Sequence, residues 1–396
     1  MNISAQYIFT GTTKPLKLGI ISLDNTGEII DIIDTNGKLK ESGNIKFYNG
    51  IICPGFVNTH CHIELSHMRG VIPEKMGMVN FIEKVVGLRS DFSPEQILTS
   101  VVEADKEMQR NGIVAVGDIS NSPDSLELKK NSKLFYHTFV EVFGLDETNA
   151  DELFESGLQL KNEYINNNLS CSITPHAPYS VSELLFENFR EYYNLHNEII
   201  SFHNQETQQE NEMFEGKDNE MKQFMFKLLS QKGSDNLFKK QTTSVQSVFE
   251  FLMNAKKMLF IHNTFVKEED FHFLKEFLHK IFWILCPNSN LYIENNLPPV
   301  ELIRKYSDNI CIGTDSLSSN RKLCVLNEIK TISETFPSIS LEEIVKWATI
   351  NGAKALEIDK KYGSIEIGKK PGINLIKNID LKNLKLTNDS QVEVLQ

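Results

Sequence analysis

The chain has 396 residues, 40% of them hydrophobic, enough to bury one large core and a smaller one beside it. Its 41 basic and 53 acidic residues leave a net charge of −12, which argues against a nucleic-acid partner, because phosphate contacts need clustered Lys and Arg. No apolar run nears the roughly 20 residues that span a bilayer, and "MNISAQYIFTGTTKPLKLGI" lacks the charged-then-apolar layout of a secretory leader, so a cytoplasmic protein acting on a small molecule is expected.

In chain order, the first elements are short apolar runs broken by Gly, Asn and Asp turns ("YIFTG", "LKLGIISLD", "EIIDIID"), which predict antiparallel strands. "YGSIEIGKKPGINLIKNIDL" repeats that character, so residues 1–53 and 363–396 are expected to form one small β domain, a β-sandwich drawn from both chain ends. Between them lie eight strand candidates: "IICPGFVNTH", "IVAVGDIS", "LFYHTFVEVFG", "LSCSITPHA", "IISFHNQE", "MLFIHNTF", "IFWILCPNS" and "NICIGTDS". Several run continuously apolar, as strands buried on both faces do, and helical spacing separates most of them, as over Pro94 to Gln109 and Ser180 to His196. Eight strand-helix units over residues 54–362 predict an α/β fold, a (β/α)8 TIM-type barrel, with a doubly wound open sheet as the alternative. Residues 207–257, after the fifth strand, are polar and much longer than an ordinary connection; a lid and a solvated surface elaboration both account for them. The six cysteines lie far apart with no C-x-x-C pair, so neither a disulfide framework nor a thiolate zinc site is indicated.

Active sites of such barrels sit at the C-terminal ends of the strands, and those ends are rich in metal-binding and proton-transfer groups. The first strand closes with His60 and His62, which share one face because residues i and i+2 of a strand point the same way. The fourth closes with His176, the fifth with His203 and Glu206, the sixth with His262, and the eighth with Asp315 and Ser316. Imidazoles with a carboxylate suit Zn²⁺ or Fe²⁺ with one position left for water, and such a metal lowers the pKa of that water towards about 7. Asp315 and Glu206 are placed to manage the protons, and His262 to orient the water.

Together "PGFVNTHCHIELSHMRG", "PHAPYSVS", "SFHNQET", "IHNTF", "CPNSNLYI", "GTDSLSSN" and "WATINGAKALEIDKKYGSIEIGKKPGINLI" resemble the amidohydrolase superfamily, in its cytosine deaminase and chlorohydrolase-like branch. The resemblance runs from about Ile51 to Ile376 and implies a metal-dependent barrel with a small β domain from both ends. It implies His60, His62, His203 and Asp315 as metal ligands, Glu206 as proton shuttle, His262 as the residue bonding the attacking water, and His176 as a substrate contact. Two-metal members carry a bridging carboxylated lysine at the end of the fourth strand; "SCSITPHAPYS" has none, so one divalent metal is expected, zinc before iron. A homodimer is a further implication of the resemblance.

Glu64 and Leu65 stand where many relatives carry Pro and Met, and Glu64 is taken as a substrate contact. Arg69 is taken as an anchor for a substrate carboxylate, while Phe81 and Arg89 are assigned to helix packing rather than to the mouth. The acid in "HNQE" favours deamination, and "PHAPYSVS" favours an adenine nucleoside such as aminodeoxyfutalosine, S-adenosylhomocysteine or adenosine. The alternatives are a mononuclear metal hydrolase of a cyclic amide or chloro-substituted heterocycle, and a catalytically silent scaffold.

Overall fold

The predicted first parallel strand, "IICPGFVNTH", is two strands of different sheets, divided at Gly55. In the computed structural model, which describes residues 1–40, 44–228 and 242–396, β1 to β5 (Asn2–Ile8, Leu16–Lys17, Ile20–Leu23, Ile29–Ile33 and Ile45–Pro54) belong to one sheet and β6 (Phe56–Cys61) opens another. A Cβ at Gly55 would stand 2.3 Å from Val114 Cγ1 and 2.7 Å from Pro371 O, so glycine is required where the chain passes between the sheets. The continuous apolar run hid this break, because residues buried on either side of it look alike.

Seven more parallel strands follow: β7 (Ile113–Ser120), β8 (Phe135–Val142), β9 (Ser170–Pro175), β10 (Ile199–Asn204), β11 (Lys257–His262), β12 (Ile281–Leu285) and β13 (Ile310–Ile312). They pair in order as two four-stranded sheets, β6 to β9 and β10 to β13. Polar bonds bridge both seams. Between β9 and β10, His203 N donates to His176 O at 2.9 Å and Ser201 N to Thr174 Oγ1 at 3.1 Å. Between β13 and β6, Thr314 N and Asp315 N both donate to His60 O, and Thr59 Oγ1 donates to Ile312 O at 2.8 Å. One buried apolar cluster takes Val57, Ala115 and Phe139 from the first sheet and Leu259, Ile284 and Cys311 from the second. The fold is therefore mixed α/β with parallel sheets and helices between successive strands.

Both predicted helices form. α1 covers Pro94–Arg110 and begins at a capping box, with Ser93 Oγ accepting from Gln96 N while Gln96 Oε1 accepts from Ser93 N. α2 covers Glu183–Leu195, starting later than expected because Pro178–Ser180 forms a 3₁₀ turn and Ser182, not Ser180, caps the helix. The long segment after β10 carries helices Gln208–Phe214, Glu220–Leu228 and Ser244–Leu252, and residues 229–241 of it lie outside the described residues.

Strands from the two chain ends share one sheet. β14 (Ile373–Lys377) pairs antiparallel with β5 on one side and β15 (Gln391–Val394) on the other, giving a seven-stranded sheet in the order β15-β14-β5-β1-β3-β4, with β2 on β1. The expected all-antiparallel pattern needs one correction: β1 runs parallel to β5, with Asn2 opposite Ile45. The chain crosses back after β4 instead of turning tightly into β5, and only a tight hairpin would have forced the antiparallel sense.

Behind the strand ends, Lys129 Nζ lies 2.7 Å from Asp118 Oδ2 with both side chains wholly buried, and it also donates to Ser120 Oγ and Thr138 Oγ1. Asp118 Oδ1 accepts from Ile63 N and so holds the chain just past the H-x-H stretch. Lys129→Met leaves a buried carboxylate unpaired and is expected to destabilise the protein by about 3–5 kcal/mol, read as a lower denaturant midpoint at unchanged slope.

Candidate active site

The Nε2 atom of His62 lies 3.2 Å from Nε2 of His60 and 3.3 Å from Nε2 of His203, and Asp315 Oδ1 is 3.6 Å from Nε2 of both His60 and His62. Burial pushes the His62 imidazole down to about 3 and, with the neighbouring imidazoles, holds His203 well below its usual value. These rings are therefore neutral, with lone pairs crowded together. A divalent cation satisfies such a donor set, and the nitrogen and carboxylate types suit zinc.

The chain holds each donor from behind. His203 Nδ1 lies 3.1 Å from His176 O, which places the ring proton on Nδ1 and leaves Nε2 as a donor atom. Asp315 Oδ2 accepts from Ser289 Oγ at 2.5 Å and Ser319 Oγ at 2.7 Å, leaving Oδ1 for the cluster. Burial alone would raise the Asp315 carboxyl, but the His60 bond and the surrounding imidazoles hold it well below the carboxylate range. Asp315 sits at φ 58°, His262 at 71°, Asn263 at 56° and Gln205 at 47°, so left-handed backbone gathers at the strand ends that carry the cluster.

Glu206 Oε1 lies 3.3 Å from His262 Nε2, both groups buried. Asn290 Nδ2 stands 3.2 Å from His262 Nδ1 and donates to it, so the His262 proton resides on Nε2 and points at Glu206. Burial, reinforced by the charges of Asp315 and Glu210, drives the Glu206 carboxyl well above its ordinary value.

Glu210 fixes the turn beneath, accepting from Gln205 N at 3.0 Å and Glu206 N at 3.2 Å. Burial raises its carboxyl from 4.5 to about 7. The folded state thus binds this proton more tightly, so the stabilisation is full below about 4.5 and is lost as pH rises through about 7. Glu210→Gln is expected to flatten the fall of Tm across that window; a profile parallel to the parent's would remove Glu210 from the titration.

His62, His203, Glu206, His262 and Asp315 face one cavity of about 590 Å³, and His176 lines it with its Nδ1 2.6 Å from Ser180 Oγ. Two predicted substrate contacts are not brought to it. Glu64 is buried away from the cavity, where Oε2 accepts from Asn121 N and Oε1 from Ser125 Oγ, both at 3.1 Å. Arg69 turns outward onto Glu107. Conversely, Phe81 and Arg89, assigned to helix packing, line the cavity. So do Asn121 and Glu141, which the motif reading passed over. The signal for Glu141 was present: it is the lone carboxylate in the apolar run "LFYHTFVEVFG". Its carboxyl, raised to about 8 by burial, lies 3.4 Å from His203 Nδ1.

A site of imidazoles and one carboxylate at the ends of parallel strands is the arrangement of a metal-dependent hydrolase. A model of the amidohydrolase family matches residues 51–395, and the chain belongs to that family. An aminodeoxyfutalosine deaminase of Nitratiruptor sp. is 26% identical over 373 residues, 90% of this chain and 86% of the relative. The crystal structure of Helicobacter pylori aminofutalosine deaminase with methylthio-coformycin superposes with a TM-score of 0.80 at 23% identity, covering 98% of this chain and 93% of that one. An adenosine deaminase from Xanthomonas campestris with bound zinc gives a TM-score of 0.74 at 20% identity, covering 96% of this chain and 85% of that one. The fold is shared with these enzymes. Among the described residues no helix is long and apolar enough to cross a membrane.

Proposed function

We propose that this chain is a metal-dependent hydrolytic deaminase that releases ammonia from an adenine nucleoside. The observation that carries the assignment is Glu206: a carboxyl buried 3.3 Å from His262 Nε2, in the cavity shared by the imidazole cluster, where burial favours its protonated form. Deamination needs such an acid, because negative charge builds on the ring nitrogen as water adds to the carbon beside it.

His60, His62, His203 and Asp315 would hold one divalent ion, zinc before iron, which supplies an acidified water at neutral pH. Glu206 gives its proton to the ring nitrogen next to the amine-bearing carbon, and that carbon accepts the water oxygen. Asp315 takes one of the water's protons and passes it to the departing amine, which leaves as ammonia while a carbonyl forms and the remaining hydroxyl proton returns to Glu206. The His262 Nε2–H, fixed by Asn290, orients the incoming oxygen, and His176 contacts the base. Ser289 and Ser319 keep one Asp315 oxygen occupied, so the other alone is free to carry the proton.

We place this chemistry in one closed barrel, residues 54–362, with residues 1–53 and 363–396 folded beside it as a small sandwich, and with the helix Glu220–Leu228 shielding the mouth. The seam bonds and the apolar cluster common to both parallel sheets support closure, and Met225 and Leu228 on the cavity wall support the shielding role. A cytoplasmic homodimer completes the proposal. Assay of ammonia release across adenosine, 5′-thio-substituted adenosines, aminodeoxyfutalosine, guanine and cyclic amides, on protein analysed for zinc and iron, tests it. Release from an adenine nucleoside with about one metal per chain is expected. Silence on every amine, with ring opening of a cyclic amide or chloride release from a heterocycle, would replace it with the hydrolase alternative.

A further inference from the structure

Ser289 and Ser319 grip Asp315 Oδ2 from two different segments, and the residue beside each serine is bonded to one further side chain that the reaction does not use. That side chain is Glu328, wholly buried on the helix Val325–Thr335. Its Oε2 accepts from Asn288 N at 2.9 Å, and its Oε1 accepts from Asn288 Nδ2 at 2.8 Å and Asn320 Nδ2 at 2.9 Å. Asn288 precedes Ser289 and Asn320 follows Ser319. One carboxylate therefore clamps together the two segments that hold Asp315.

The clamp reaches further than the serines. Asn320 Nδ2 also donates to Thr314 O at 2.8 Å, just ahead of the left-handed backbone of Asp315, and Asn290, in the same turn as Asn288, donates to His262 Nδ1. The two amides are fixed in sense: Asn288 Oδ1 accepts from Thr331 Oγ1 at 2.6 Å, and Asn320 Oδ1 from Arg321 N at 2.7 Å. Both therefore turn N–H groups towards position 328, where only a side chain that accepts on both sides suits them. Val325, Leu326, Ile329 and Ile332, the other buried residues of that helix, are apolar. A carboxylate among them is costly to bury, and packing alone gives no reason for it. Neither Glu328 nor the two asparagines lines the catalytic cavity, so what Glu328 contributes passes through the segments it joins.

We propose that Glu328 is a positioning residue: it locks the segments bearing Ser289 and Ser319 against each other, so that Asp315 presents Oδ1 to the metal in one orientation. This rests on the reading of Asp315 as metal ligand and proton carrier in the deaminase, and adds the side chain that aims it. Glu328→Gln keeps the size but gives up one acceptor, so its amide NH₂ is forced against an N–H of Asn288 or Asn320.

The test is a cycle of variants read by zinc affinity, with metal-free protein competing against a chelating dye, and by turnover. Glu328→Gln and the pair Ser289→Ala/Ser319→Ala are each expected to weaken zinc binding about tenfold. Combined, they should lose no more than about twofold beyond the serine pair, because the carboxylate acts through those serines. A side chain that only stabilises the fold would lower the thermal midpoint and give the product of the separate losses. That product, or unchanged zinc affinity in either variant, would overturn the proposal. With an adenine nucleoside, Glu328→Gln should lower kcat and leave KM close to the parent's; a loss confined to KM also overturns it. Should Glu328→Gln fail to fold, the half-buried Asn288→Ala enters the same cycle and is judged by the same outcomes. If no adenine nucleoside is turned over, the deaminase assignment fails by itself, and the zinc cycle still decides the role of Glu328.

Discussion

Glu206→Gln is expected to keep the metal and the fold while lowering kcat by about 10²–10⁴, the range that a positioned acid contributes. Glutamine has nearly the same shape, and its amide oxygen can still receive the His262 Nε2–H that now faces Glu206 Oε1 at 3.3 Å. It cannot give up a proton to a ring nitrogen. The backbone at this position is held independently, since Glu206 N donates to Glu210 and not to its own side chain's partners. The loss should therefore appear in kcat, with metal content and thermal midpoint close to the parent's. Undiminished ammonia release would exclude the acid role and leave the buried Glu206 carboxyl, raised by its burial, without a chemical explanation.

His203→Ala is expected to abolish stable metal retention and, with it, activity. Loss of a mere supporting partner behind a metal ligand weakens affinity about 10–100-fold, and loss of the ligand itself weakens it more. Here Nε2 of His203 lies 3.3 Å from Nε2 of His62, and its other nitrogen is held by His176 O, so its removal leaves the cluster one fixed imidazole short. Glu141, 3.4 Å away on the Nδ1 side, faces the wrong nitrogen. Elemental analysis after dialysis decides: unchanged metal content would remove His203 from the ligand set.

The strand-end histidines and Asp315 could be read from the chain because each closes an apolar run, and a parallel strand buried on both faces has a recognisable pattern with a defined C-terminal end. Where a strand ends, its last side chains have few directions open to them. The fate of residues past those ends was not readable in this way. Glu64 and Arg69 follow the H-x-H stretch closely, yet one is captured by Asn121 and Ser125 and the other by Glu107. Arg89 and Glu141 reach the cavity from a helix end and from the third parallel strand.

By itself, then, the sequence determined the parallel strands, the β segments at both ends and the donor types at the strand mouths. These follow from local periodicity and from which residue types can ligate a metal or move a proton. Only the tertiary structure decided where Gly55 divides two sheets, that β1 runs parallel to β5, and which charged side chains enter the cavity. The reason is physical: a buried charge goes where its partner is, and the partners here come from elements far apart along the chain, so their meeting is a property of packing rather than of any local stretch.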